Sequence, residues 1–257
     1  MKVWRYGSLC IAGMLILGSC AGGNKLEKRK ADCAERIEKS IGFYNAKKYS
    51  RAMVKLEDAR MQCGGNPNMD TILYYLGMTD AKMKKFVEAR TEFQRLVQDF
   101  PESPFYEEAK FRIGYVVYLQ SNPTNLDQQE TREAVRLLDD FIEMNPQSSF
   151  MDSARYYRTE AYEKLAKKEF DNAVFYERIN EKEAAIVYYR TFLNQYIDSR
   201  LVDQVRINMV ELLLKLGRES EAAEMCDDFL KNGKDKELRK RAKNLLAGLK
   251  NDKKNPK

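Results

Sequence analysis

From about residue 30 to residue 250, apolar side chains return at spacings of three and four, and no stretch alternates apolar with polar long enough to read as a strand. That period lays one apolar stripe along a helix, so the chain predicts as all-α. The stretch from Asp70 to Ser103 gives the unit most clearly. Leu73, Leu76 and Gly77 mark a first helix, Phe86, Ala89, Phe93 and Leu96 a second, and Pro101 ends it. A small residue on each helix lets the two backbones approach, and aromatic side chains fill the seam between them.

This is the spacing of the tetratricopeptide (TPR) repeat. Aligning the second-helix alanine elsewhere picks out Ala52, Ala89, Ala134, Ala185 and Ala222, separated by 37, 45, 51 and 37 residues. Five helix pairs follow, two of them with extra material. Each pair buries its apolar face only by stacking on neighbours, so the expected fold is one right-handed superhelix of about five TPR helix pairs. The repeats fall at about 31–66, 67–103, 104–147, 149–198 and 199–232, with a C-terminal helix at 235–250 and a disordered tail at 251–257. The related segments Phe100-Pro101-Glu102-Ser103, Asn145-Pro146-Gln147-Ser148 and Tyr196-Ile197-Asp198-Ser199 stop three of the second helices. In each, the serine is placed to N-cap the helix that follows.

The two long intervals individualise the array. Between Gln120 and Thr131 a polar loop replaces the tight turn of the third repeat, and a loop of that length in a compact array is a candidate for function. From Ser149 to about Ile179 neither Pro nor Gly interrupts the helical pattern. That run predicts a single extended helix in repeat four, some 30 residues and about 45 Å long.

The first residues change the picture from soluble array to anchored one. Lys2 and Arg5 precede an apolar run, Gly7 to Leu17, which reads as a lipoprotein signal peptide over 1–19. At roughly 11 residues the run is too short to span a bilayer, which takes about 20. It ends in Leu17-Gly18-Ser19-Cys20, which resembles the lipobox of bacterial lipoproteins, so Cys20 is the expected lipidation site. A lipidated flexible linker over 20–30 would then join the repeats to the outer membrane on its periplasmic face. With Cys10 in the signal and Cys20 acylated, Cys33, Cys63 and Cys226 remain of five cysteines. If the first pair turns near residue 48, Cys33 and Cys63 each lie about fifteen residues from the turn and face each other across its open end. Two readings stand: a disulfide, or two buried reduced thiols. Cys226 reads as a small core residue.

Composition removes most enzyme classes. The chain has no histidine, which excludes Ser-His-Asp and Cys-His nucleophilic arrangements and His-based zinc sites. Gly64-Gly65-Asn66-Pro67 lacks the Lys-Ser/Thr of a phosphate loop and reads as a turn between pairs. Asp139-Asp140 and Asp227-Asp228 are adjacent on helices and diverge by about 100°, so they read as solvated surface. No catalytic residue, cofactor site or metal site is expected. The net charge of +6 falls to +4 once Lys2 and Arg5 are removed, too small and too mixed to argue for nucleic acid. The basic density from Lys231 to Lys243 is broken by Asp235 and Glu237 and reads as a solvated face. Paired aromatics such as Tyr74-Tyr75 and Tyr188-Tyr189 cannot both point inward, so one of each reaches the surface, where tyrosines could receive an extended peptide.

Leu165-Ala166-Lys167-Lys168-Glu169-Phe170, then Ala173-Val174-Phe175-Tyr176 and Glu183-Ala184-Ala185, resemble the signature of the BamD family, the tetratricopeptide lipoproteins of outer-membrane β-barrel assembly. Phe141-Ile142-Glu143-Met144-Asn145-Pro146, the long fourth-repeat helix and the lipobox support it, and the insert with Leu126-Asp127-Gln128 is similar to that of members from the Bacteroidetes and neighbouring groups. Ile197 and the Asn180-Glu181-Lys182 turn depart from the family pattern. The resemblance implies a non-enzymatic scaffold whose C-terminal repeats dock on the POTRA domains of a BamA-type subunit, beside other assembly-complex lipoproteins. Its N-terminal repeats would receive unfolded outer-membrane proteins. Carried onto this chain, the docking surface is expected around Glu183, Tyr188 and Arg190, with Arg206 and Arg218 as charge partners. Phe43, Tyr44, Tyr74 and Tyr75 would line the receiving groove. The alternatives are another envelope TPR lipoprotein, such as a secretin pilotin or a cell-wall-synthesis regulator, or a ligand-capturing binding lipoprotein.

Overall fold

A computed structural model describes residues 20–252, with side chains from 27 to 249. The expected signal peptide, the side chain of Cys20 with its expected acylation, and residues 253–257 lie outside the described residues. Among the described residues there are eleven α-helices and no strand. They are α1 (Cys20–Asn45), α2 (Tyr49–Gln62), α3 (Met69–Lys82), α4 (Phe86–Asp99), α5 (Tyr106–Gln120) and α6 (Gln129–Met144). The chain continues through α7 (Met151–Arg178), α8 (Lys182–Gln195), α9 (Val202–Lys215), α10 (Glu219–Asn232) and α11 (Lys236–Asp252). Successive helices pack as five antiparallel TPR pairs, and α11 stacks on α9 and α10 as an added first helix.

Two stretches differ from the sequence reading. Residues 20–30, expected as a linker, form the first turns of α1, and Asn251 and Asp252, expected in the tail, close α11. Lys25-Leu26-Glu27-Lys28-Arg29-Lys30 are good helix formers with no Pro or Gly among them, so nothing halts the helix before the Gly22-Gly23 pair.

Four first helices end alike. Lys47, Lys84, Asn180 and Gly217 take left-handed backbone, with φ of 58°, 61°, 64° and 73°. The next amide reaches back to the last helical turn: Lys48 N–H to Phe43 O, Lys85 N–H to Asp80 O, Glu181 N–H to Tyr176 O and Arg218 N–H to Leu213 O, each 2.9 Å. This Schellman geometry satisfies carbonyls that the helix end would leave unpaired. Asn180 fills the position that Gly217 fills in the next pair, since a short polar side chain tolerates that region better than most.

The aligned alanines do what the spacing demands. Ala52, Ala89, Ala134, Ala185 and Ala222 are all fully buried. A Cβ added to Gly77 would stand 2.7 Å from the Phe93 ring, and one on Gly114 2.9 Å from Leu138. Close helix contact therefore requires glycine at both positions.

Stacking between pairs is set by a repeated carboxylate latch. Ser103 Oγ donates to Asp70 Oδ2 at 2.7 Å, Ser148 Oγ donates to Glu107, and Ser199 Oγ donates to Glu163 Oε2 at 2.7 Å. In the last repeat the Lys234 and Asp235 amides donate to Asp203 Oδ2 at 2.7 and 2.8 Å. The serines are thus not the N-caps the sequence suggests. Each accepts the amide two residues on, from Phe105, Phe150 and Leu201, in the turn ahead of the helix. Asp70, Glu107 and Asp203 are all the second residue of a first helix. By that rule α7 should use Asp152, but Asp152 is exposed and Glu163, eleven residues later, holds Ser199. Eleven residues are three helical turns, about 16 Å. Helix α7 therefore serves as first helix twice. Its N-terminal half closes the stack of the first three pairs, and its C-terminal half opens the stack of the last two at a new height.

Candidate partner-binding surfaces

The first helices form the inner face of the array: α1 touches α3, α5 touches α7 and α9 touches α11. Along its N-terminal half that face carries a chain of rings. Tyr44 of α1 meets Tyr75 of α3 edge-on at 5.4 Å, and Tyr75 meets Tyr74 at 5.2 Å. Tyr74 stacks on Phe105 at 4.3 Å. Beyond Phe105, Arg112 of α5 donates to Glu108 at 3.0 and 2.8 Å and lies 5.7 Å from the Tyr115 ring. Tyr115 then meets Tyr157 of α7 at 4.5 Å, and Tyr157 meets Tyr118 at 5.4 Å.

The four expected client-binding residues divide within this arrangement. Tyr44 and Tyr75 are half-buried and present ring surface to the groove, whereas Tyr74 is buried and fills the seam between α3, α4 and α5. Phe43 packs on the core of the first pair and joins no ring contact with the others among the described residues. Phe105, Glu108, Arg112, Tyr115 and Tyr157 continue this chain of contacts along the inner face, an arrangement that sequence reasoning missed. The Glu108/Arg112 spacing of four on one helix was the legible signal. Burial first, and then the Glu108 carboxylate, raise the Tyr74 phenol well above its ordinary range. Burial raises the Tyr44 phenol, with Tyr49 adding to it and Arg112 opposing. Tyr44 and Tyr74 therefore stay protonated at any physiological pH.

The expected docking residues lie mostly on the convex side, and ion pairs within the chain already occupy them. Arg190 of α8 pairs with Glu221 of α10 at 2.9 Å. Arg218 pairs with Glu221 at 2.6 Å and Glu183 at 3.1 Å. The Arg218 guanidinium holds the Glu221 carboxyl below its usual range. Tyr188 is half-buried and stacks on Tyr176 at 4.8 Å. Arg206 is not part of this group: it faces Asp203 at 3.7 Å, beside the latch that holds the turn before α11. Similar clasps join earlier second helices, Arg60 to Glu92 at 3.0 Å and Arg90 to Glu133 at 2.6 Å. Arg190 and Arg218 thus tie two repeats together, and the sequence could not reveal the contacts between repeats because they join Arg190 to Glu221, 31 residues away, and Arg218 to Glu183, 35 residues away.

At the open end of the first pair, Cys33 and Cys63 are joined as a disulfide with Cα atoms 5.8 Å apart. Cys226 is a buried free thiol, pushed up to about 11 by burial and by Asp227. The insert at 121–128 is a folded strap. Buried Gln128 donates to Pro123 O and Leu126 O at 2.7 and 3.1 Å and accepts from Thr131 at 2.7 Å. From α7, Lys164 Nζ donates to Ser121 O and Oγ at 3.1 and 2.8 Å, and Lys168 Nζ to Asn125 O at 3.2 Å. Burial lowers the Lys164 ammonium below its ordinary range. The strap braces α7 where its two registers meet.

Residues 115–228 match the family model YfiO, described as outer membrane lipoprotein. Residues 72–103, which are α3 and α4 with their closing turn, match a tetratricopeptide repeat. The YfiO match runs from α5 to α10 and takes in the strap and all of α7. The chain is thus similar over these stretches to YfiO-type outer membrane lipoproteins and to tetratricopeptide repeats. Among the described residues no helix is long and apolar enough to cross a membrane. No curated protein matches the chain. Solved structures similar to it include a thermophilic TPR protein, TTC0263 of Thermus thermophilus, at 20% identity over 84% of this chain and 99% of that one, with a TM-score of 0.37. MamA from Desulfovibrio magneticus is 14% identical over 77% of this chain and 93% of its own, with a TM-score of 0.37. YrrB, described as a TPR protein with an unusual peptide-binding site, is 16% identical over 87% and 98%, also at 0.37.

Proposed function

We propose that the chain is a scaffold of the outer-membrane β-barrel assembly machinery, tethered through acylated Cys20 to the periplasmic face of the outer membrane. The observation that carries this reading is the YfiO match over α5–α10, which includes the long helix and the strap bracing it. The C-terminal repeats dock on the POTRA domains of a BamA-type subunit. The N-terminal repeats receive extended segments of unfolded outer-membrane proteins along the Tyr44, Tyr75, Arg112, Tyr115 and Tyr157 face. Tyrosine rings with hydrogen-bonding tips suit an apolar strand whose backbone still needs hydrogen-bond partners.

The test is a mild-detergent pull-down of the lipidated protein from outer membranes, with mass spectrometry of what survives a salt wash. A POTRA-containing barrel protein at near-equal amount is the expected result. A secretin or a peptidoglycan synthase in its place would move the protein to another envelope role. Reversal of Arg190 or Arg218 is a poor test of docking, because either change also breaks the clasp to Glu221.

A further inference from the structure

Between α8 and α10, on the convex side, lies a groove of about 370 Å³. Met209 and Leu213 of α9 form its floor, and Leu193 and Met225 flank them from α8 and α10. Met209 and Leu213 are themselves buried core residues, so half-buried Leu193 and Met225 supply the apolar surface that an entering side chain meets, and the Met225 thioether adapts to its shape. The rim is acidic: Glu221, Glu224 and Asp228 line it from α10, opposite Arg190.

The charge on that rim is not balanced within the chain. Arg190 and Arg218 neutralise Glu221. Glu224 is exposed and makes no ion pair among the described residues, and Asp228 accepts an amide from Asn232 at 2.7 Å with no cation beside it. Helix α10 as a whole carries Glu219, Glu221, Glu224, Asp227 and Asp228 against a single Lys231. The clefts bridged by Arg60 and Arg90 are clasped in the same way, so what marks this groove is Glu224 and Asp228, two carboxylates without a cation among the described residues.

We infer that this groove receives a helix of a protein partner that offers one apolar anchor flanked by lysine or arginine about a turn away. Glu224 and Asp228 stand four residues apart, one turn along one face of α10, which is the spacing of two cations on a facing helix. The slot spans about two turns, roughly 10 Å, so it takes one or two anchoring side chains and not a whole hydrophobic stripe. An acidic rim repels anionic lipid and nucleic acid, leaving a basic protein segment as the complementary occupant. The inference rests on the scaffold reading and gives its docking surface a chemistry.

The test places a benzoylphenylalanine photo-crosslinker at exposed Asn194 in the full lipidated chain, in cells, and sequences the cross-linked peptide. The expected peptide is helical, with an apolar residue between basic ones. Glu224→Lys with Asp228→Lys should lower the yield about tenfold, while Glu219→Lys with Asp227→Lys, the same charge change outside the groove, should leave it within about twofold. Melting curves of both double variants check that the fold survives. A neutral or acidic peptide, a second copy of this chain, no cross-link, or equal loss in both variants overturns the inference. If the barrel subunit copurifies while the groove stays silent, the groove inference falls and the scaffold reading stands. A basic helix from an unrelated protein, lost only on reversal at Glu224 and Asp228, would do the opposite.

Discussion

The two ends of the array bury their apolar surface in different ways. In the first three pairs the core is divided into separate clusters, one around Leu56 and Ile72, one around Phe93 and Val116, one around Phe111 and Leu138. Half-buried residues bridge them: Met69 and Tyr75 between the first two, Tyr115 between the second and third. From Ala166 to Leu249, by contrast, α7 to α11 share one continuous core through Tyr189, Phe192, Val210 and Phe229. Stacked repeats are stabilised by their nearest neighbours, so a divided core opens locally at lower free energy than a continuous one. The end with half-buried rings along its inner face and separated clusters is suited to adapting around an extended segment. The end with the continuous core is suited to holding a fixed surface.

The largest expected effect attacks the continuous core. Phe192→Ala empties a fully buried site and should cost about 3–5 kcal/mol. Chemical denaturation followed by hydrogen exchange should show α8 to α11 losing protection together; loss confined to α8 would mean that the C-terminal core is not one unit. Next is reduction of the Cys33–Cys63 disulfide, which closes a separation of 30 residues. Reduction should cost about 3–4 kcal/mol in the chain-entropy account, and exchange should rise in α1 and α2 while α9 and α10 stay protected. Uniform loss across the chain would contradict a divided N-terminal core.

The two registers of α7 predict a sharper contrast. Glu163→Ala removes the acceptor for Ser199 Oγ and for the Arg200 amide and should cost about 1–3 kcal/mol. Asp152→Ala, at the position the other first helices use, should stay within about 0.5 kcal/mol. Equal effects in thermal melts would remove the three-turn offset.

The smallest effect is a pH dependence inside the N-terminal half. Asp80 is buried where α2, α3 and α4 meet, and burial pushes it up to about 6, with Glu88, Glu92 and Glu57 adding to the rise and Lys85 opposing. Glu92, held by Arg60 at 3.0 Å and Arg95 at 3.5 Å, keeps its Oε2 buried without a partner. A carboxyl whose folded value lies above its unfolded value of 3.8 destabilises the fold above pH 6 and releases that penalty as pH falls from about 6 toward 4. Asp80→Asn should therefore stabilise by roughly 1 kcal/mol at pH 7.5 and by much less at pH 5. A difference between variant and parent that does not change with pH would show that Asp80 is ionised and solvated throughout.

Much of the array was legible before any coordinates, because a helix that must bury one stripe repeats it every three or four residues whatever its neighbours do. The aligned alanines, Gly77 and the long α7, 28 residues in the structure, all follow from that local rule. The rings on the inner face were legible as residues but not as a surface. Tyr74 and Tyr75 are adjacent in the chain, and only the packing of Phe105 against Tyr74 decides that one is core and the other groove. Arg190 looks free in the sequence because Glu221 meets it across a turn of the superhelix, and Glu183 reaches Arg218 across the same turn. The same holds for α7, whose length the sequence determines and whose double use it does not. That choice depends on which of two carboxylates, Asp152 or Glu163, meets Ser199. Such a contact joins residues 36 apart and is decided by the stacking of whole helix pairs, which no local spacing encodes.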